Sequence, residues 1–263
     1  MSMQTASGKK LHPIGIGTWT MGAAGQAAAE AAAIRYSLEA GQNHIDTAEM
    51  YGDGAAEAVV GKATQSFKRE DLYIASKIWK THLTAGTVRP AVQAMLQRLN
   101  TDYLDMLYIH APWEGSPWPA AIPQICDLID EGTVRHFAVS NFTIANMQQA
   151  KSLTRHPITA NQMNFNVLYQ AEVDQEFRDF CQQHDIKIVA YQPIKRGEVS
   201  QSEALKEIAK KHAATPAQVA LAWLVQLGAL PIPKAVQKAH IDDNLRALNL
   251  KLTKDEIARL NNR

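Results

Sequence analysis

Residues 44–54 read HIDTAEMYGDG, and they place Asp46 and Tyr51 at the end of a short apolar run typical of a buried β-strand. Two later runs end in the same way, LYIASK at Lys77 and YLDMLYIH at His110. In a barrel of parallel strands alternating with helices, the carboxyl ends of all strands share one rim. The sequence therefore predicts that these four ionisable side chains meet in a pocket suited to proton transfer.

Short β-branched runs alternate with longer stretches of helical periodicity, which indicates repeated β–α units and a parallel sheet. Strands from IGIGTW to ALPIPK predict an α/β fold, an eight-stranded parallel (β/α)8 TIM barrel. The 263 residues match the roughly 250 of one such barrel, so we expect a single domain over residues 1–263. Gly41 predicts the end of the first helix, and Thr215 followed by Pro216 predicts the start of a later one.

The composition indicates small-molecule partners. Formal net charge is +1 with acids and bases interspersed, so no basic face is expected for nucleic acid or anionic membrane. No run approaches the roughly 18 apolar residues that span a bilayer, and we expect a soluble, cytoplasmic protein. Cys126 and Cys181 lack CxxC spacing and lie in apolar helical patterns, which favours burial over a disulfide or a metal site.

Seven motifs occur in a fixed order along the chain: DTAEMYGDGAAEAVVG, ASK, YLDMLYIH, VSNF, NQ, AYQP and IPKA. Together they resemble the aldo-keto reductase family, and the resemblance covers nearly the whole chain. The sequence is similar to short aldehyde reductases of the bacterial and archaeal type. The resemblance implies hydride transfer between a nicotinamide cofactor and a small-molecule carbonyl substrate, on a monomeric barrel. No metal is implied.

The resemblance implies a catalytic tetrad of Asp46, Tyr51, Lys77 and His110. Reduction of a carbonyl needs a proton for the developing alkoxide, and we expect Tyr51 to supply it, with Lys77 lowering its pKa and Asp46 keeping Lys77 charged. His110 is expected to orient the carbonyl; relatives that reduce a carbon–carbon double bond carry glutamate there. Taken singly, each of the four could instead be a turn, rim or core residue. Glu49 is expected to be a solvated or hydrogen-bonded rim residue.

A nicotinamide cofactor would not sit in a Rossmann site, because GIG at residues 15–17 is followed by TWTMG and not by the dinucleotide fingerprint. The resemblance implies that Ser140, Asn141 and Gln162 bind the carboxamide of nicotinamide and that Tyr191 stacks on its ring. Strand-end capping and barrel-rim packing are the structural alternatives for these residues.

The segment IPKAVQKAHIDDN resembles the family's grip on the adenosine 2′-phosphate. Lys234 matches its lysine, Asn244 an adenine contact, and Asp243 stands where glutamate is usual. Ala235 replaces a common serine and His240 a common arginine, so a hydroxyl donor and a permanent forked cation are lost. We expect NADPH as the cofactor, with NADH as an alternative.

Aromatic residues follow the strands of the predicted rim. Trp19 and Trp79 match positions that line the family's substrate site, while Trp113 and Trp118 match less securely and could equally be packing residues. Many family members carry a C-terminal extension over the pocket, whereas this sequence ends soon after its closing helix. The expectation is an open pocket with broad specificity for small or reactive aldehydes.

The leading interpretation is an NAD(P)H-dependent oxidoreductase that reduces aldehydes, with ketones as an alternative, to alcohols with Tyr51 as general acid. A catalytically weak regulatory subunit that binds cofactor on the same barrel is a second interpretation, because a fold does not by itself confer activity. An unrelated barrel enzyme, such as a lyase or hydrolase, is disfavoured by the ordered motifs. Turnover of an aldehyde panel would separate these interpretations.

Overall fold

A computed structural model describes residues 3–261 and confirms the predicted (β/α)8 barrel. Eight strands follow one another in chain order, and each pairs in parallel with the next. Backbone bonds from Gly15 N to Pro231 O (2.9 Å) and from Gly17 N to Pro233 O (3.1 Å) join the last strand to the first. The strands are β1 (Ile16–Gly17), β2 (His44–Asp46), β3 (Tyr73–Ile78), β4 (Leu104–Ile109), β5 (Val134–Ser140), β6 (Ile158–Asn164), β7 (Lys187–Tyr191) and β8 (Leu230–Pro231).

Helices surround the barrel on its outer face. Short 3-10 turns at Arg69–Asp71, Lys80–His82, Lys195–Gln201 and Ala247–Asn249 supplement them. The α-helices within the described residues are α1 (Ala27–Glu39), α2 (Ala55–Thr64), α3 (Val88–Leu99), α4 (Trp118–Asp130), α5 (Ile144–Leu153), α6 (Gln175–Gln183), α7 (Glu203–Lys211), α8 (Pro216–Gln226), α9 (Lys238–Arg246) and α10 (Lys254–Asn261).

The two predicted helix boundaries are confirmed. Gly41 follows the end of α1 with φ 98°, a left-handed conformation that glycine adopts without steric cost. Thr215 begins α8 by accepting a hydrogen bond from the backbone N–H of Gln218, whose side chain accepts in return from the N–H of Thr215. This reciprocal cap satisfies two backbone donors that the helix cannot satisfy itself.

Strands β1 and β8 are shorter than the runs IGIGTW and ALPIPK predict. Pro231 and Pro233 have no N–H to donate, which limits the hydrogen-bond ladder between β8 and its neighbouring strands. The backbones approach closely here, since a Cβ on Gly17 would lie 2.5 Å from the carbonyl oxygen of Ile232. Glycine at this point therefore permits barrel closure at the rim.

Two large hydrophobic clusters and a small third one, formed by Ile14, Leu221 and Ala247, stabilise the barrel. The largest cluster lies between strands and helices, and it includes the buried, free thiols Cys126 and Cys181, as the sequence predicts. The second large cluster fills the barrel interior with side chains that include Tyr73, Met106 and Tyr108. Within residues 3–261 no helix is long and apolar enough to cross a membrane, and no cluster of three His, Cys, Asp or Glu side chains could hold a metal ion.

A buried carboxylate ties the starts of β3, β4 and β5 together. Asp105 is fully buried, accepts a hydrogen bond from the backbone N–H of Ile74 (2.9 Å) and pairs with Arg69 and Arg135, each at 2.7 Å. These contacts lie at the amino-terminal side of the strands, opposite the rim that carries the motifs. The network therefore belongs to the scaffold.

Candidate active site

A cavity of about 770 Å³ opens at the carboxyl ends of the strands. It brings together residues that lie at or just after the carboxyl ends of every strand except β3, with further residues from helices α8 and α9. Lys77, Trp79 and Trp113 lie behind its wall and do not line it. The sequence-predicted residues that line the cavity are Trp19, Asp46, Tyr51, His110, Ser140, Asn141, Gln162, Tyr191, Lys234, His240, Asp243 and Asn244.

Lys77 is the centre of the predicted tetrad. Its side chain is fully buried on β3, and its Nζ donates to Asp46 Oδ2 (2.7 Å) and the carbonyl oxygen of Thr47 (2.8 Å), with Tyr51 Oη at 3.3 Å. An ammonium has three protons, so these three partners account for its donor capacity. The Lys77 ammonium is thereby aimed at the phenolic oxygen that faces the cavity.

Burial and contacts with neighbouring groups determine the charge states of Lys77 and Tyr51. Burial alone would lower the pKa of Lys77, but the Asp46 carboxylate and the Tyr51 oxygen raise it above its ordinary value. Burial raises the pKa of Tyr51, and Lys77 opposes that rise without outweighing it, while Asp46 adds to it. The expected lowering of the Tyr51 pKa is therefore wrong for the protein alone, because burial exceeds the effect of an ammonium already paired with a carboxylate. The phenol stays protonated at neutral pH.

His110 directly follows β4 and lies beside Tyr51, with ring centroids 5.9 Å apart in an edge-on arrangement. Burial, assisted by the positive charge of Lys77, lowers the pKa of His110 to about 3. Its imidazole is thus neutral across the physiological range. The Nδ1 atom is buried and has no hydrogen-bond partner among residues 3–261.

The four residues predicted to bind nicotinamide form one hydrogen-bonded chain. Tyr191 Oη donates to Asn141 Oδ1 (2.9 Å), and Asn141 Nδ2 donates to Ser140 Oγ (3.0 Å). Ser140 Oγ donates to the carbonyl oxygen of Gln162 (2.9 Å), and Gln162 Nε2 donates to Asp46 Oδ1 (2.7 Å). This last bond, absent from the sequence prediction, connects the nicotinamide subsite directly to the tetrad.

The far end of the cavity carries the residues predicted to bind the 2′-phosphate. Lys234 and His240 are exposed there, so both can meet an anion. Asp243 lines the cavity as well, and its carboxylate accepts hydrogen bonds from Thr215 Oγ1 (3.0 Å) and Gln218 Nε2 (2.7 Å). These bonds link the start of α8 to α9. If Asp243 also contacts the cofactor, its carboxylate does so while it holds these two bonds.

The mouth of the cavity is bridged by a cation–π contact that the sequence did not reveal. The guanidinium carbon of Arg196 lies 4.6 Å from the ring centroid of Trp19. Arg196 and Gly197 have left-handed φ values of 53° and 93° within the Lys195–Gln201 turn. The loop after β7 thus reaches across to the loop after β1.

Aromatic rings pack against His110 behind the cavity wall. Trp79 lies edge-on to His110 (centroids 5.0 Å apart) and to Trp113 (4.5 Å). Trp113 therefore belongs to the wall behind the tetrad. Trp118 does not, because it is buried in α4 against Phe142 at 4.9 Å. Of the two tryptophans that matched less securely, one reaches the site and the other packs the core.

A paired lysine, tyrosine and aspartate at the rim of a (β/α)8 barrel, with a neutral histidine beside them, define an acid–base site adjoining a long cavity. The protein belongs to the aldo/keto reductase family, whose sequence model matches residues 13–262. The family predicted from the motifs is thereby confirmed.

Individual relatives agree with this membership. Methylglyoxal reductase YeaE of Escherichia coli (strain K12) is 35% identical over 267 residues, covering 98% of this chain and 93% of the relative. The solved structure of Tm1743, a thermostable aldo-keto reductase in complex with the inhibitor epalrestat, is similar at a TM-score of 0.92 with 32% identity, covering 99% and 98% of the two chains. An aldo/keto reductase from Klebsiella pneumoniae in complex with NADP and acetate is similar at a TM-score of 0.88 with 32% identity, covering 98% and 93%.

Proposed function

We propose that the protein reduces small aldehydes, with ketones as an alternative, to alcohols by hydride transfer from NADPH. The observation that carries this proposal is the contact of Lys77 Nζ with both Asp46 Oδ2 and Tyr51 Oη, because it places a protonated phenol at the cavity with a cation behind it. Proton donation to a developing alkoxide requires such a positioned acid.

The residues of the cavity fit a nicotinamide dinucleotide. The amide of Gln162 and the hydroxyl and amide groups of Ser140 and Asn141 suit a carboxamide, while Lys234 offers a cation and His240 a ring nitrogen at the opposite end. When bound, the cofactor would supply a hydride, that is, one proton with two electrons, to the carbonyl carbon. The neighbours solved with NADP or NADPH support this choice of cofactor.

The protein's own residues complete the reaction. Tyr51 transfers its phenolic proton to the carbonyl oxygen as negative charge develops there, which leaves a phenolate beside the Lys77 ammonium. That ammonium stabilises the phenolate, and Asp46 keeps the ammonium protonated. His110, neutral and facing the same space, offers a hydrogen bond that orients the carbonyl oxygen. A proton from solvent then restores Tyr51.

Substrate choice follows from the walls of the cavity. Trp19 offers aromatic surface at the mouth of the cavity. Trp79 and Trp113 do not line it and act only by packing against His110 from behind. Such a site selects little beyond an accessible, reactive carbonyl. Methylglyoxal is a suitable first substrate, since relatives named for its reduction share about a third of this sequence.

The test is the rate of NADPH oxidation, and separately of NADH oxidation, by purified protein with methylglyoxal and with a small aromatic aldehyde. Tyr51→Phe should lower kcat by about 10²- to 10⁴-fold, the usual contribution of a general acid, while cofactor binding is retained. Tyr103→Phe is the matched control, because Tyr103 lies at the start of β4, away from the cavity. Binding of NADPH without turnover by the wild type would instead support the regulatory subunit.

A further inference from the structure

We propose that Glu49 is a positioning residue for this reaction: its carboxylate holds the loop after β3 so that Trp79 fixes the ring of His110. The proposal rests on the function proposed above. Glu49 lies in the loop after β2 between Asp46 and Tyr51, and no contact described so far assigns it a task.

Glu49 binds the β3 segment through its backbone and both of its carboxylate oxygens. Its N–H donates to the carbonyl oxygen of Lys77 (3.4 Å), Oε1 accepts from the backbone N–H of Trp79 (2.5 Å), and Oε2 lies 2.9 Å from His82 Nδ1. The carboxylate is only 8% exposed, whereas the His82 side chain is 43% exposed. A nearly buried carboxylate with both oxygens in use is costly to leave unpaired, so it fixes the geometry of its partners.

Glu49 influences the orientation of the His110 ring through the ring of Trp79. His110 Nδ1 is buried without a hydrogen-bond partner in the described part of the chain, so no hydrogen bond at that nitrogen sets the rotation of the imidazole. Its orientation depends on the rings around it, which belong to Tyr51 (5.9 Å), Trp79 (5.0 Å) and Trp113 (6.1 Å). Trp79 is the nearest of these, and its backbone is the one that Glu49 holds.

A direct acid–base role for Glu49 does not fit the same geometry. The residue does not line the cavity, and each oxygen of its carboxylate already has a partner. Glu49 therefore acts through Trp79 on the placement of His110, and a small displacement of a catalytic group is enough to cost a large factor in rate.

Three variants separate positioning from charge and from stability. Glu49→Ala removes the bond to Trp79 and should lower kcat for methylglyoxal by about 10- to 100-fold, with little change in the KM for NADPH. Glu49→Gln keeps an acceptor for the Trp79 N–H and should restore kcat to within about fivefold of the wild type. His82→Asn removes only the half-exposed imidazole contact at Oε2 of Glu49, and its kcat should also stay within about fivefold of the wild type.

Two results would overturn the proposal: a Glu49→Ala enzyme with wild-type kcat, or a Glu49→Gln enzyme as slow as Glu49→Ala. The second would show that the charge matters and not the hydrogen bond to the loop. A uniform loss of folded protein is excluded by measuring the urea unfolding midpoint of every variant.

Measurements that need no turnover test the positioning role of Glu49 independently of the proposed function. The imidazole signals of His110 in NMR spectra of isotope-labelled protein should be the same in wild type and Glu49→Gln and should shift in Glu49→Ala. Hydrogen exchange at the Trp79 amide should accelerate only in Glu49→Ala. If the wild type turns over no aldehyde, the proposed function fails, and these signals still decide whether Glu49 positions His110. Unchanged signals in Glu49→Ala would contradict the proposal.

Discussion

Replacing His44 with leucine should make the fold markedly less sensitive to mild acid. His44 lies on β2 inside the barrel, 1% exposed, and neither ring nitrogen has a hydrogen-bond partner among residues 3–261. Burial lowers its pKa to about 4; nearby Asp46 and Asp105 oppose this effect and Lys77 adds to it. The imidazole is therefore neutral in the folded protein and must be protonated against a penalty when the pH falls.

The magnitude follows from the two pKa values. In the unfolded chain His44 titrates near the ordinary value of 6.5, so the unfolded state takes up the proton first. The stability associated with neutral His44 is fully present above about pH 6.5 and is lost as the pH falls toward 4. A difference of about 2.5 in pKa corresponds to about 3 kcal/mol, and about 2.5 kcal/mol of this is lost between roughly pH 7 and pH 4.5.

Urea unfolding near pH 7 and near pH 4.5 measures this loss in free energy. Wild type and His44→Leu share every other titratable group, so the difference between the two proteins reports the contribution of His44. We expect the acid-induced loss of stability to be about 2.5 kcal/mol smaller in His44→Leu. His240→Gln, at an exposed site on α9, is the matched control and should lose as much as the wild type. Equal losses in wild type and His44→Leu would refute the reasoning.

Three further predictions concern the buried charges and the cofactor groove. Lys77→Met should abolish reductase activity and lower the free energy of urea unfolding by about 3–5 kcal/mol, because it leaves the Asp46 carboxylate without its cation. Adding Asp46→Asn should recover most of that stability but no activity. A double variant as unstable as Lys77→Met would contradict this prediction. Asp105→Asn should cost a similar free energy of unfolding while kcat stays unchanged, and a matching fall in kcat would show that the scaffold network reaches the site. His240→Arg should lower the KM for NADPH by about tenfold and leave the KM for NADH unchanged, because a forked cation joins Lys234 at a 2′-phosphate; an equal effect on both cofactors would place the phosphate elsewhere.

The barrel and the gathering of the tetrad could be predicted because local patterns determine both. Apolar runs end in polar residues at Asp46, Lys77 and His110, and parallel strands bring those ends to one rim whatever the details of packing. The position of Trp113 could not be decided from spacing alone, since it depends on how the loop after β4 folds against Trp79.

Contacts between distant strands could not be predicted from the sequence. Gln162 bonds to Asp46 across 116 residues, and this pairing depends on the register and tilt of strands on opposite sides of the barrel. The direction of the Tyr51 pKa likewise required knowing how deeply the phenol is buried. Glu49 was expected to be solvated or hydrogen-bonded, and only the folded loops show that its partners are the Trp79 amide and His82.

The most direct test of the central claim follows the hydride itself. NADPH carrying deuterium at both positions of C4 of the nicotinamide is incubated with the protein and a small aromatic aldehyde, and the product is analysed by mass spectrometry. We predict an alcohol with one deuterium on the carbinol carbon, formed by the wild type and by Tyr103→Phe and reduced by at least about 10²-fold in Tyr51→Phe. Absence of deuterated alcohol with the wild type, or its formation at an undiminished rate by Tyr51→Phe, would contradict the assignment of this cavity as a carbonyl-reducing site with Tyr51 as its acid.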